Sequence, residues 1–331
     1  MIIVADIISS TILFAVPLLL VALGGMFSER SGIINIALEG IMIIGALMGC
    51  LMMRWLDPIV SAGNLGSQLA MAIAILFAGV CGLVFSVLLA FASINLKADQ
   101  TIGGTALNML APAFAIVLTW VFQGQGQTTI NIPTWSRITE ENFRLTLEQG
   151  GFIQTLFFKN FYLTTIFAII LFAVAVVLMY KTKFGLRLRA CGEHPQAAAS
   201  VGINVFKMRY AGVLISGFLG GVGGLAFTLA AGSGFQSSVA GYGFLALAVM
   251  IFGNWKPWTI LGASLFFALF KNIGSYASSI PFMPDFSNIK ENSTYLWPML
   301  PYIVTMILLV LTSKRSRAPK AEGIPYDKGM R

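Results

Sequence analysis

Glu193-His194-Pro195-Gln196-Ala197-Ala198-Ala199-Ser200-Val201-Gly202 reads as a short helix with a proline in its first turn. It lies in the segment 180–210, where Lys181, Lys183, Arg187, Arg189, Lys207 and Arg209 face a single acid, Glu193. Long apolar runs flank this segment on both sides. A polar, basic helix between two such runs is a loop of a membrane protein. It offers a surface that another protein can push on, which points to a subunit worked from outside itself.

Working outward, the composition supports the membrane reading. The chain has 331 residues, 57% hydrophobic and only 10% charged, with mean hydropathy +0.84. Soluble domains carry about 25% charged residues. The bilayer requires every backbone polar group to be satisfied internally, which favours helices, and these runs lack the alternation of a membrane barrel. The expected fold is an all-α polytopic membrane protein, a bundle of about nine or ten transmembrane helices. The apolar runs fall at 7–26, 33–53, 69–95, 101–122, 161–180, 210–231, 239–253, 258–273 and 297–311. The third is long enough for a strong tilt or a break, and 239–253 is short for a crossing; either is compatible with a tenth span or a re-entrant piece. The first run is too long for a signal-peptide core and lacks a basic leader, so it is read as a retained span.

Net charge is +8, and its distribution argues for topology rather than nucleic acid. Placing the tail cations Lys314, Arg315, Arg317, Lys320, Lys328 and Arg331 in the cytoplasm also puts Arg30, Lys97, Lys256 and the 181–209 loop inside. Arg54, Arg137, Arg144, Lys159 and Lys290 fall outside, and Lys271 stays within a run. Residues 1–313 then form one membrane domain with a cytoplasmic loop at 181–209 and outer loops at 123–160 and 275–296, and 314–331 form a basic cytoplasmic tail. Each outer loop is long enough to be either a docking surface or a solvated connection.

Small residues mark packing faces. Ser216, Gly220 and Gly224 recur every fourth residue, as do Gly217 and Gly221, and Ala78, Gly82, Ser86 and Ala90 make a similar face. Such spacing lets helix backbones approach in lipid. Thr101, Thr105 and Asn108, followed by Pro112, share one side of the fourth run. They are candidates either for lining a solute path, together with Asn35, or for hydrogen bonds between helices. Glu39, an acid within the second run, is a fifth path candidate, favoured as a structural polar contact over a proton-coupling group.

Other chemistry is missing from the sequence. One histidine and scattered acids assemble neither a metal site nor a nucleophile–base pair. The three cysteines, Cys50, Cys81 and Cys191, have no CxxC spacing. No GxxxxGK[ST] motif is present, so no P-loop ATP site is expected.

The block Glu29-Arg30-Ser31-Gly32-Ile33-Ile34-Asn35-Ile36-Ala37-Leu38-Glu39-Gly40 resembles the early signature of ABC-importer permeases of the ribose and branched-chain amino-acid type. Phe184-Gly185-Leu186-Arg187 through Gly202-Ile203-Asn204 is similar to that family's cytoplasmic loop, and Gly241-Tyr242-Gly243-Phe244 through Phe252-Gly253-Asn254-Trp255 to a third block. Asn35–Gly40 and Ala98-Asp99-Gln100-Thr101-Ile102-Gly103-Gly104-Thr105 look most like the smaller permease of nucleoside importers.

The resemblance implies half of a translocation path in a bacterial inner membrane. It also implies a second permease chain, commonly a different one, a cytoplasmic ABC ATPase that consumes ATP, and an extracytoplasmic solute-binding protein. No cofactor is expected on this chain. Gln196-Ala197-Ala198-Ala199-Ser200-Val201-Gly202 resembles the EAAxxxG element of importer coupling helices, with Gln196 at the Glu position and the later Ile-x-Leu-Pro part absent. Glu193, Pro195, Gln196, Ala197, Ala198 and Gly202 are the implied coupling residues. A bulky charge at Ala198 is expected to uncouple transport without unfolding. The alternatives are a sugar permease of the same family and an ion-coupled secondary transporter.

Overall fold

The computed structural model describes residues 2–138, 161–276 and 317–327, with single positions at 151, 154, 299, 303, 304, 306, 307 and 310. The greater part of the expected span 297–311 lies outside the described residues, as do the greater parts of the two outer loops and the tail cations Lys314, Arg315, Lys328 and Arg331.

Among the described residues the structure is helical, with only two isolated β-bridges, Ile130 to Phe235 and Arg137 to Tyr162. The helices are α1 (Ile2–Arg30), α2 (Leu38–Ser61), α3 (Ser67–Ala90), α4 (Gln100–Gln123), α5 (Leu163–Lys181), α6 (Lys183–Glu193), α7 (Pro195–Ser200), α8 (Val205–Ala231), α9 (Tyr242–Phe252) and α10 (Pro257–Tyr276). Six of them, α1 to α5 and α8, are long and apolar enough to cross a membrane. The protein is an all-α polytopic membrane protein. The long third run continues past α3 as a π-helical turn, Phe91–Asn95, and Asp99 caps α4 by accepting from the Thr101 and Ile102 N–H groups.

Helix α8 occupies the centre, against α1, α2 and α3. Its glycines decide how close that packing is. A methyl group on Gly221 would overlap the Ala78 carbonyl of α3, and one on Gly224 would overlap the Met42 carbonyl of α2. Gly217 lies on Ser86 and Gly82, Gly220 on Ile41, and the Ser216 carbonyl on Gly24 of α1. The small faces of α8 and α3 therefore meet each other, main chain against main chain, where van der Waals contact rather than the hydrophobic effect holds helices together. Helix α4 is different. It packs on α2 but leaves Ile102, Met109, Val117 and Val121 free along its length.

The second apolar run does not begin as a helix. Gly32 takes a left-handed φ of +97°, residues 33–37 are irregular, and α2 starts at Leu38. Ile33, Asn35 and Ala37 are fully buried, so this open backbone needs partners. Side chains provide them. The Ile33 carbonyl accepts from Ser28 Oγ (2.8 Å), and the Ile34 N–H donates to Gln100 Oε1 (2.7 Å). Asn108 Nδ2 donates to the Ile36 carbonyl, and the Gly40 N–H donates to Asn108 Oδ1, both at 2.8 Å.

Candidate functional site

The basic segment folds as two helices, α6 and α7, at one end of the bundle. Thr182 sets the first corner: its Oγ1 donates to the Leu178 carbonyl (2.7 Å) and accepts from the Gly185 N–H (3.2 Å). Gly185, Leu188, Cys191 and Gly192 form the buried side of α6, while Lys181, Lys183 and Arg187 are exposed. Burial pushes the Cys191 thiol up to about 11, with the Arg209 charge pulling the other way. His194 separates the helices, and Pro195 takes the first position of α7, where its missing N–H removes no hydrogen bond. At the other end Gly202, at φ +82°, donates to the Ala199 carbonyl (3.0 Å), and Ile203 donates to that of Ala198 (3.1 Å). Asn204 Oδ1 then accepts from the Lys207 N–H (3.0 Å) and starts α8.

Gln196, Ala197, Ser200, Val201 and Gly202 are exposed on this unit. Pro195 and Ala198 are not. Ala198 is 4% exposed and sits among Cys191, Val205 and Tyr326. The expectation that a bulky charge at Ala198 leaves the fold intact is thereby corrected. Each helical step rotates about 100°, so a six-residue helix lying flat on the bundle must turn some of its alanines inward. A charge at Ala198 would unseat α7 instead of probing its outer face. Glu193 also turns back, toward Arg30 Nη1 at 3.7 Å, and Arg30 itself donates to the Trp255 carbonyl.

A segment expected only as a basic tail lies across this same end. Residues 317–327 run from Asn254, whose Oδ1 accepts from the Arg317 N–H (3.0 Å), to Lys97, whose Nζ reaches Asp327 Oδ2 at 2.6 Å. Arg30, Lys97, Lys256 and the tail thus share one end with α6 and α7. Between those points Tyr326 is 6% exposed and stands edge-on to Phe206 with ring centroids 5.4 Å apart. Burial pushes the Glu322 carboxyl up; its contact with Glu29 and the Arg30 charge pull it down. Arg209, the largest fully buried side chain, lies beneath. Sequence reading missed this docking. The available signal was the recurrence of apolar residues, Ala318, Ala321, Ile324 and Tyr326, among the charges of the tail; of these Ala321 and Tyr326 are the buried ones.

The five path candidates separate into two groups. Asn35 is fully buried and donates to Ser216 Oγ (2.8 Å). Asn108, half-buried, holds the start of α2 as described. Glu39 caps α9: Oε1 accepts from the Gly241 N–H (2.8 Å) and Oε2 from the Gly243 N–H (2.6 Å). A carboxylate there answers both the unpaired N–H groups and the positive end of the helix dipole. Asn108 and Glu39 thus hold interrupted backbone directly, while Asn35 ties its own irregular stretch to α8 through Ser216. Thr101 and Thr105 instead stand on the free side of α4, the Thr105 hydroxyl donating to the Thr101 carbonyl.

With eleven residues, α9 spans about 16 Å, so the short seventh run is a half-length helix whose start is held by Glu39. Lys271, within the eighth apolar run, lies 4.0 Å from the Phe14 ring centre and 4.1 Å from that of Tyr242, and donates to the Tyr242 hydroxyl.

A family model described as the permease component of the branched-chain amino acid transport system matches residues 7–312. The chain belongs to that permease family. Over nearly its whole length the permease is similar to curated transport proteins. It is 40% identical over 333 residues to the guanosine ABC transporter permease protein NupQ of Bacillus subtilis (strain 168), covering 99% of this chain and 98% of that one. It is 41% identical over 325 residues to the nucleoside ABC transporter permease protein NupC of Lactococcus lactis subsp. cremoris (strain MG1363), covering 97% and 96%. A more distant likeness, 24% over 166 residues, covers 50% of this chain and 44% of the nucleoside ABC transporter permease protein NupB of the same strain. No solved structure matches the permease. The docked tail, residues 317–327, lies beyond the family match.

Proposed function

We propose that this permease is half of the translocation path of an ATP-driven nucleoside importer, and that α7 is the point where a separate ATPase drives it. The observation that carries the coupling reading is the exposed row Gln196, Ala197, Ser200 and Val201 on a proline-started helix between two membrane helices. The full-length likeness to permeases named for guanosine and nucleosides supports the solute class. The basic end that carries α6, α7 and the tail is the cytoplasmic one on the positive-inside rule. The free side of α4, with Thr101 and Thr105, is where a second permease chain completes the path; the likeness to NupB supports a non-identical partner. Two hydroxyls in an otherwise apolar wall suit an uncharged solute, which needs few but well-placed polar contacts. A solute-binding protein delivers the nucleoside on the opposite side, and ATP is bound by the ATPase, not by this chain.

The test is reconstitution of the permease with its second permease chain, ATPase and solute-binding protein in vesicles. Guanosine or another nucleoside is expected to accumulate with ATP and without an ion gradient. Ala197→Glu, at an exposed position where folding stability should change by less than about 0.5 kcal/mol, is expected to abolish accumulation while the chain still purifies as a folded protein. Accumulation driven by an ion gradient alone, or normal uptake by Ala197→Glu, would refute the coupling reading.

A further inference from the structure

We infer that the docked tail is a working part of the coupling device, and that Tyr326 and Arg209 are its positioning residues. The inference rests on the coupling reading above and deepens it: force applied at α7 reaches the path through this strap as well as along the chain.

Helix α7 cannot hold itself in place. Six residues are far below the length at which a helix is stable alone, and its inner face consists of small groups, Pro195 and Ala198. Ala198 is buried in one cluster with Cys191, Val205 and Tyr326, and Tyr326 is its largest member. The strap therefore provides the bulky side of the seat on which α7 rests. It also forms one wall of a cavity of about 570 Å³ beside α7, with Tyr326 and Asp327 facing Gln196, Ser200 and Asn204. A partner gripping α7 would meet both elements.

The strap's other attachments lie where movement would have to go. The Ala321 N–H donates to the Gly192 carbonyl at the end of α6 (2.8 Å), and the Gly323 N–H to the Gly32 carbonyl in the turn after α1 (3.2 Å). Asp327 is tied to Lys97 just before α4. One short segment thus joins α7 to the irregular start of α2 and to the foot of α4, the helix that carries the free threonines. Without it, displacement of α7 would be taken up at its own joints, His194 and Gly202.

Arg209 is the pin in this arrangement. It rises from the foot of α8 and is 1% exposed. Its Nη1 donates to the Ile324 carbonyl of the strap (2.9 Å), while Nε and Nη2 have no hydrogen-bond partner. A methyl on Gly32 would come within 2.9 Å of Nη2, so the guanidinium fills the space between that turn and the strap. A buried cation with so few partners is costly to leave alone. Detaching the strap removes its one hydrogen bond, which links the strap's seating to the root of α8.

The experiment uses the complete transporter in vesicles and reads solute imported per ATP hydrolysed, together with maleimide labelling of Cys191 located by peptide mapping. In Tyr326→Ala the import ratio is expected to fall about tenfold, in the range of ordinary coupling energies, and Cys191 to become readily labelled. Tyr326→Phe keeps the ring and should restore both readings. Ending the chain after Ala318 should reproduce Tyr326→Ala or exceed it; if that chain does not assemble, the two Tyr326 variants decide. Normal import in Tyr326→Ala overturns the inference, whether or not Cys191 is exposed. An equal loss in Tyr326→Phe overturns it as well, because the packing account requires only the ring. Ala197→Glu separates the two claims. If it abolishes import while Tyr326→Ala does not, the strap inference alone falls; if it imports normally, the coupling reading falls and takes the strap with it.

Discussion

Helices α8 and α4 are both apolar and both long enough to cross a membrane, yet they belong to opposite regimes. Helix α8 is enclosed by α1, α2 and α3, with backbones so close that Gly221 and Gly224 have no room for a methyl. Helix α4 is tied on one side by Asn108 and leaves Thr101, Thr105, Met109 and Val121 free on the other. The difference separates two uses of a membrane helix. An axle needs small residues, because lipid gives no hydrophobic reason for helices to associate and only close contact remains. A wall needs a surface that something else completes. The polar residues divide in the same way: those on the packed side clamp backbone, and those on the free side are available to a solute or a partner.

Three substitutions test that contrast. The largest effect is expected at Gly224→Leu, which drives a side chain into the Met42 carbonyl. Overpacking of this kind costs about 3 kcal/mol or more, and folded, monodisperse protein in detergent should be lost. A normal yield would mean that α8 is not tightly enclosed. Next is Asn108→Leu, which strands the Gly40 N–H and the Ile36 carbonyl. At about 1–3 kcal/mol for each buried group left unpaired, the thermal midpoint of the purified chain should fall along with uptake. Uptake lost at unchanged stability would move Asn108 from the clamp to the path wall. The smallest effect on folding, within about 0.5 kcal/mol, is expected at Thr105→Leu on the free side. There uptake should fall several-fold with the midpoint unmoved; unaltered uptake kinetics would remove α4 from the path.

Much of the architecture was legible in the residues. The runs at 7–26, 69–95, 101–122, 161–180 and 210–231 each contain most of a membrane-length helix of the structure, because apolar length is a property of the chain alone. The small faces of α8 and α3 were readable for the same reason: a four-residue spacing repeats along a helix face. Which small face meets which was not readable. The second run misled, since residues 33–37 are as apolar as a helix would be, and it takes the side chains of Ser28 from α1 and of Gln100 and Asn108 from α4 to let them stay irregular. Glu39 showed as an acid that needed partners; that its partners are the first N–H groups of α9, some two hundred residues away, could not be read from local pattern.

The segment proposed for coupling shows where the boundary lies. Proline at the head, glycine at the foot and alanines between are local signals, and they suffice to place a short helix within 193–203; the structure confines it to 195–200 and gives Glu193 to the end of α6. The direction each alanine faces is not local. It depends on what lies beneath, and what lies beneath is a tail more than a hundred residues further along, held by backbone hydrogen bonds to Gly192 and Gly32 and by the guanidinium of Arg209. Hydropathy and capping act through neighbours along the chain, so the amino-acid order alone carries them. Burial of Ala198 and Tyr326 is a contact between distant parts of the chain, and it exists only once the bundle has brought them together.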